Sequence, residues 1–302
     1  MALHEQTVGI IGLGRIGSVV AEQLAASYPL CAWDIRPESI SKLGNLKVEL
    51  AAPDLIAKRC NVILLCLPSL TDADSILSES EFVSNLTPQS VLVDTSTSDP
   101  ASARHLSARL APTGARLLDA PILGRPDTCG SWTMPVGGGA TTLERVRPVL
   151  EKLAARVLHV GETGTGHTIK LLNNLMFAAI NAVTAEVVAA CGHLEVQPER
   201  FLEIVGGSPA ATVSPLFLDL VPRMIRPDAE TVFTLELLAK DLKLATRMCE
   251  QAGSTLVVAR ALQIMADLAL AKGLGEQDSS ALVQIYEATS RSPLLPSSDE
   301  TA

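Results

Sequence analysis

The sequence predicts an α/β domain with a mainly parallel, doubly wound sheet, followed by an all-α domain joined to it by a long helix. Three observations carry this. Short, fully apolar runs alternate with amphipathic stretches through the first half of the chain. A glycine-rich turn follows the first of those runs directly. Near Gly161 the strand signals stop, and Ala/Leu/Val-rich segments of helical period take over. The boundary falls between residues 1–162 and 163–302.

Strands are expected at Thr7–Ile11, Leu30–Trp33, Val62–Leu67, Val91–Asp94, Leu117–Asp119, Thr133–Val136 and Val157–Val160. Their lack of polar alternation implies burial on both faces, as in a parallel sheet covered by helices. Helices are expected between them at Ile16–Ser27, Asp72–Leu77, Ala101–Ala111 and Leu143–Ala154. Gly161-Glu162-Thr163-Gly164-Thr165-Gly166 forms a joint. Beyond it, helices are expected at His167–Leu194, Pro198–Gly206, Pro215–Met224, Leu235–Ala252, Leu256–Lys272 and Ser279–Ala288. The Pro/Ser-rich tail from Arg291 is expected to fray.

Bulk properties narrow the function. The 302 residues suffice for two cores, and 47% hydrophobic with 19% charged residues excludes a disordered chain. The net charge of −9, with no Lys/Arg run, argues against a nucleic-acid partner. Cys31, Cys60, Cys66, Cys129, Cys191 and Cys249 form no CxxC pair and no zinc-like cluster, so no metal is expected. They read as small buried thiols in a reducing compartment. The start of the chain enters a strand pattern without a signal peptide, which implies a cytoplasmic location. The apolar stretch Leu171–Cys191 carries Asn173, Asn174, Asn181 and Glu186, so it reads as a core helix and not a membrane span.

Val8-Gly9-Ile10-Ile11 runs into Gly12-Leu13-Gly14-Arg15-Ile16-Gly17. The first glycine of such a turn permits the tight bend. The second admits a pyrophosphate, and the third lets helix and strand pack closely. The helix N-terminus then offers free N–H groups to the phosphates. A strand before the turn and a helix after it mark a dinucleotide-binding Rossmann domain. Asp34 ends the second strand, where an acid bonds the ribose hydroxyls of NAD. Arg36 beside it could instead accept the extra phosphate, so NAD is favoured and NADP stays open. Leu67-Pro68 and Ser96-Thr97 follow two further strand ends and are expected to continue the cofactor groove. Plain turn chemistry would give the same motifs.

A nicotinamide enzyme acting on an alcohol must move a proton as well as a hydride. Lys170 and Asn174 are four residues apart, and Asn181 lies close to three turns from Lys170, so all three fall on one helix stripe. A lysine held on an apolar stripe can have its pKa lowered toward working pH, which makes it useful as acid or base. A lysine snorkelling from the helix end would show the same spacing. His167 reads as a helix cap or surface group.

Four motifs decide between those readings. They are the Gly9–Gly17 turn, Asp119-Ala120-Pro121 with Gly124, Gly164-Thr165-Gly166-His167-Thr168-Ile169-Lys170-Leu171-Leu172-Asn173-Asn174, and Lys240-Asp241-Leu242-Lys243. In this order they resemble the β-hydroxyacid dehydrogenase family, which includes 3-hydroxyisobutyrate dehydrogenase and tartronate semialdehyde reductase. The resemblance implies hydride transfer between NAD(P)(H) and a small anionic β-hydroxy acid or its semialdehyde. It implies that Lys170 is the acid/base and that Asn174 holds substrate oxygens. It also implies that Gly124 and its neighbours offer N–H groups to the substrate's acid group. Lys240 and Asp241 would complete the site, with Lys240 near the cofactor, and Ser96 or Thr97 would lie near the nicotinamide ribose. A homodimer or homotetramer built on the helical domain is implied as well.

The substrate loop departs from the family's usual Asp-Ala-Pro-Val-Ser-Gly-Gly. Leu123 replaces the serine, Arg125 replaces the last glycine, and the segment before Gly130 is short. Arg125 could grip an anion bidentately. This Gly-Arg loop resembles that of sulfolactaldehyde reductases, which makes a sulfonate substrate an alternative. Imine reductases share the architecture but generally carry Asp or Tyr at the position of Lys170. A non-catalytic cofactor-binding protein would be marked by loss of that lysine.

Overall fold

The computed structural model describes residues 7–287, apart from 42, 45, 71, 74–75, 77–80, 195, 209–213 and 227–229. The chain separates into two compact units, residues 1–170 and 171–302.

The first unit holds eight strands among its described residues: β1 Val8–Ile11, β2 Leu30–Trp33, β3 Val48–Leu50, β4 Val62–Leu65, β5 Val91–Asp94, β6 Arg116–Asp119, β7 Trp132–Gly137 and β8 Ala154–Gly161. They form one sheet in the order β3-β2-β1-β4-β5-β6-β7-β8. The first six strands in that row pair in parallel, and β7 pairs with β8 in parallel. Only β6 and β7 run antiparallel, through Asp119 and Gly137. The sheet is therefore mainly parallel, as predicted.

Alternate residues of the buried strands serve opposite faces. Val8, Ile10, Val62 and Leu64 join one core cluster, while Ile11, Ile63 and Leu65 join another. Helices α1 (Arg15–Ala25) and α5 (Ala140–Leu153) cover the first face with Val20, Leu24, Val146 and Leu150. Helices α3 (Pro53–Arg59) and α4 (Pro100–Leu110) cover the second with Ile56, Ala103 and Leu106. Two-sided coverage explains the unbroken apolar runs.

Three elements escape the sequence reading. The edge strand β3 has three residues, two of them exposed, so it lacks an apolar run. Helices α2 (Pro37–Ser41) and α3 are too short to show a period, and each opens on a proline. The expected helix at Asp72–Leu77 falls partly outside the described residues.

Helix α6 (Thr165–His193) begins in the first unit and continues through the second. The second unit also contains α7 (Pro198–Gly206), α8 (Pro215–Met224), α9 (Leu235–Gln251) and α10 (Val258–Ala271). By length and composition α6 could cross a membrane, yet Asn174, Asn181 and Thr184 are buried within the protein. Ala182, Ala185 and Val188 of α6 share a core with Leu220, Leu238, Leu242 and Leu262. The last expected helix is corrected. Ser279–Val283 is a 3₁₀ helix, and a short α11 covers Gln284–Glu287. Asp278 starts this tighter turn by accepting the Ser280 N–H on its side chain and the Ala281 N–H on its carbonyl.

Candidate active site

The glycine turn has the geometry its residues require. Gly12 has φ +96°, and a Cβ there would lie 2.5 Å from the Cys66 carbonyl oxygen. Leu67 also packs against this turn, with its Cδ2 3.0 Å from the same added Cβ. At Gly14 an added Cβ would meet only Arg36 Nη2, at 3.7 Å, so the backbone stays open on that side. Gly14 caps α1 without a side-chain hydrogen bond, and no acidic residue lies in the first turn. The positive end of the α1 dipole, with no acidic side chain against it, suits a pyrophosphate there. Arg15 is exposed and Ile16 half-buried.

Asp34 is buried and does more than terminate a strand. Its Oδ2 accepts the Leu13 N–H at 2.7 Å, and its Oδ1 accepts the Arg36 N–H at 2.8 Å. The carboxylate thus pins the middle of the glycine turn. The exposed Arg36 guanidinium returns to Asp34 Oδ1 at 3.5 Å. Acid and arginine therefore share one position beside the turn.

The loops after β4 and β5 are tied together. Asp94 ends β5 and accepts the Ser96 N–H and hydroxyl, both at 3.0 Å. The Ser96 and Ser98 hydroxyl oxygens lie 2.7 Å apart, and Ser98 accepts the Leu70 N–H at 2.8 Å. Pro68 is exposed and Thr97 half-buried between these anchors.

The first turn of α6 runs over the ends of β5 and β6. Asp119, the last residue of β6, accepts the Gly164 N–H at 2.7 Å and the His167 N–H at 3.0 Å. Burial pushes the Asp119 carboxyl above its usual value, against the pull of His167 and the two N–H groups. Added Cβ atoms at Gly137 or Gly166 would lie 2.5 Å from Asp119 oxygens, so only glycine fits at either place.

His167 corrects its sequence reading. It is fully buried, with Nε2 2.9 Å from Asp94 Oδ2, and is neither a cap nor a surface group. Lys170, one turn on, is half-buried and donates from Nζ to the Ile122 carbonyl at 2.7 Å.

Ile122 opens the loop expected to read the substrate. Leu123 is half-buried and bridges to Thr133, whereas Gly124 and Arg125 are exposed. Trp132 was missed by the sequence reading, and it shapes this loop from below. Its Nε1 donates to the Arg125 carbonyl at 2.7 Å. A Cβ at Gly124 would lie 2.3 Å from the Trp132 ring. Arg125 also donates its N–H to Thr128 Oγ1 at 3.2 Å. The shortness of the segment before Gly130 is the one local signal beside it in the sequence.

In the second unit, Asn174 Nδ2 donates to Asp241 Oδ2 at 2.6 Å. Lys240 Nζ stands 3.2 Å from Asp241 Oδ1. Asp241 is buried, so Lys240-Asp241 is no surface charge pair. Asn181 does not join these residues; its Nδ2 donates to the Ser279 carbonyl at 2.9 Å. Burial pushes the Cys60 and Cys66 thiols up to about 12, which makes them inert.

Comparison with known proteins shows the family. The family model for the NAD binding domain of 6-phosphogluconate dehydrogenase matches residues 7–161. A second model, for NAD-binding of NADP-dependent 3-hydroxyisobutyrate dehydrogenase, matches residues 164–286. The chain belongs to the β-hydroxyacid dehydrogenase family. It is an NAD(P)-dependent dehydrogenase or reductase. Among curated relatives, an L-threonate dehydrogenase of Cupriavidus necator is 27% identical, over 93% of this chain and 96% of its own. A 3-sulfolactaldehyde reductase of Escherichia coli is also 27% identical, over 92% of this chain and 94% of its own. The solved 3-hydroxyisobutyrate dehydrogenase of Salmonella typhimurium shares the fold with a TM-score of 0.83 at 23% identity, covering 93% of this dehydrogenase and 100% of that chain.

Proposed function

We propose that this dehydrogenase transfers a hydride between NAD(P)(H) and a small anionic β-hydroxy acid or its semialdehyde. In this reading Lys170 is the general acid/base, and the protein acts as a homodimer or homotetramer in the cytoplasm. The observation that carries the reading is the fixed Lys170 ammonium, bonded to the Ile122 carbonyl at the start of the substrate loop. The cofactor, when bound, supplies or accepts the hydride. Gly12, Leu13, Gly14, Arg15, Ile16 and Gly17 would hold its pyrophosphate. Asp34 and Arg36 would face its adenosine end, and Leu67, Pro68 and Ser96 would line its path, with Lys240 nearby.

The residues divide the remaining work by chemistry. In oxidation Lys170 takes the proton of the substrate hydroxyl as the carbonyl forms; in reduction its ammonium returns that proton to the carbonyl oxygen. Asn174, held by Asp241, would orient substrate oxygens. Leu123, Gly124 and Arg125 would receive the acid group, with Lys240 and Asp241 completing the site. A second reading, a sulfonate substrate, is favoured by Arg125, whose backbone is held at both its N–H and its carbonyl. A planar guanidinium can grip a sulfonate as well as a carboxylate. Exposed Met176 and Val183 on α6, with Ile264 and Leu268 on α10, support subunit association.

The test is a substrate panel with NAD+ and NADP+: L-threonate, L-serine, 3-hydroxyisobutyrate and 2,3-dihydroxypropane-1-sulfonate, with the matching aldehydes or ketones and NADH for reduction. Turnover of one hydroxy acid, with a higher KM in Arg125→Ala, is the expected result. No turnover of any member would sink the proposal.

Asp34 sets a separate expectation. Asp34→Asn keeps an acceptor for the buried Leu13 N–H and removes the charge that would repel a 2′-phosphate. The kcat/KM ratio of NADP+ over NAD+ should rise about tenfold, equivalent to roughly 1.4 kcal/mol. An unchanged ratio would remove Asp34 from cofactor discrimination.

A further inference from the structure

The pair Asp94–His167 lies outside the roles assigned above, and its placement is specific. Both side chains are sealed from solvent, at 1% and 0% exposure. A buried carboxylate–imidazole pair of this kind is a weak source of stability, because desolvation offsets much of the attraction. Its position suggests another use. Asp94 Oδ2 accepts from His167 Nε2 at 2.9 Å and from the Ser96 hydroxyl at 3.0 Å. His167 Nδ1 has no hydrogen-bond partner among the described residues. The imidazole therefore makes a single polar attachment, and that attachment is to the strand-end loop.

The first turn of α6 is thus held at three places. Asp119 fixes the backbone at Gly164 and His167. Asp94 fixes the His167 ring, and Ile122 receives the Lys170 ammonium. Lys170 lies three residue steps along the helix from His167, a rise of about 4.5 Å. A tilt at the helix start is passed directly to Nζ, and a misplacement of about 1 Å can cost on the order of 100-fold in rate.

We propose that Asp94 and His167 form a buried strut between the Ser96 loop and the lysine turn, with His167 acting as a positioning residue for the proton step assigned to Lys170. This rests on the reading of Lys170 given above.

The test compares His167→Leu and His167→Gln, using the fastest hydroxy acid of the panel with NAD+. Leucine keeps the ring's approximate volume without a donor, whereas glutamine carries an Nε2 donor toward Asp94. His167→Leu should lower kcat about 10- to 100-fold, with both KM values and the NADH-binding stoichiometry within threefold of the parent. His167→Gln should recover most of the lost kcat. A purely structural role would lower the NADH-binding fraction and kcat together. The strut is overturned if His167→Leu keeps kcat within twofold, if leucine and glutamine are equally impaired, or if kcat falls only with the binding fraction. Lys170→Ala run alongside separates the two ideas. If it keeps parental turnover, the acid/base reading fails and takes the strut with it. If it is inactive while His167→Leu is unimpaired, the strut alone fails.

Discussion

Replacing Lys170 by alanine is expected to lower turnover about 100- to 10,000-fold, the usual range for loss of a positioned acid or base. The proton must leave the substrate hydroxyl as the carbonyl forms, and water is a far weaker acceptor than a neutral amine. Cofactor binding should survive, because the glycine turn and its Asp34 anchor make no use of Lys170. NADH affinity, read by fluorescence titration, should stay within about threefold of the parent. The fold should tolerate the change as well. The lost bond is one donor to the Ile122 carbonyl, worth about 1–3 kcal/mol, while Asp119 still holds the start of α6. Arginine at this position should fail as badly as alanine. A guanidinium stays protonated at any working pH and cannot take the proton. Partial recovery of the alanine variant by added methylamine would tie the loss to the missing amine. Turnover within tenfold of the parent would assign the proton to another group.

The features legible in the sequence share one property, which is that their meaning is local. The glycine turn is read from six consecutive residues, and the sheet from apolar runs that need no partner to be recognised. Helix α7 is legible at its observed bounds and α8 around its own, with Pro198 and Pro215 opening their first turns. What stayed hidden depends on distant partners. His167 looks like a cap within its own segment, but the residue that fixes its role is Asp94, 73 positions earlier. Asp119 carries the first turn of α6 from 45 positions away. Asn181 shares the helical spacing of Lys170, yet it bonds the Ser279 carbonyl, 98 positions later. A periodic stripe shows only that polar groups are aligned, and the tertiary partner decides what each one does. Trp132 belongs with these cases. Its value lies in the contact with Gly124 and the bond to Arg125, which arise only when the loop folds back beside β7.

Gly17→Ala is expected to damage both folding and cofactor binding, and Gly14→Ala to damage binding alone. An added Cβ at Gly17 would sit 1.8 Å from the Gly12 carbonyl oxygen and 2.8 Å from its carbon. Both are backbone atoms, so no rotamer change relieves the clash. Either α1 moves away from β1 or the turn opens. Moving α1 disturbs Val20, Ala21 and Leu24, which are packed against the sheet at full burial. Strained insertions into packed sites cost about 1–3 kcal/mol, and this overlap lies at the severe end. The Gly17→Ala protein should therefore melt several degrees lower without cofactor and bind NADH at least 100-fold more weakly. At Gly14 the added methyl meets only Arg36 Nη2 at 3.7 Å, and φ of −67° suits alanine. The unliganded protein should then melt as the parent does. The methyl would instead occupy the space a pyrophosphate needs over the α1 N-terminus. NADH at 100 times its Kd stabilises the parent by about 2.7 kcal/mol, and this gain should vanish in Gly14→Ala. Thermal denaturation of both variants, with and without NADH, reads the two effects separately. If Gly14→Ala keeps the full NADH-induced rise in Tm, the phosphates do not lie over this turn.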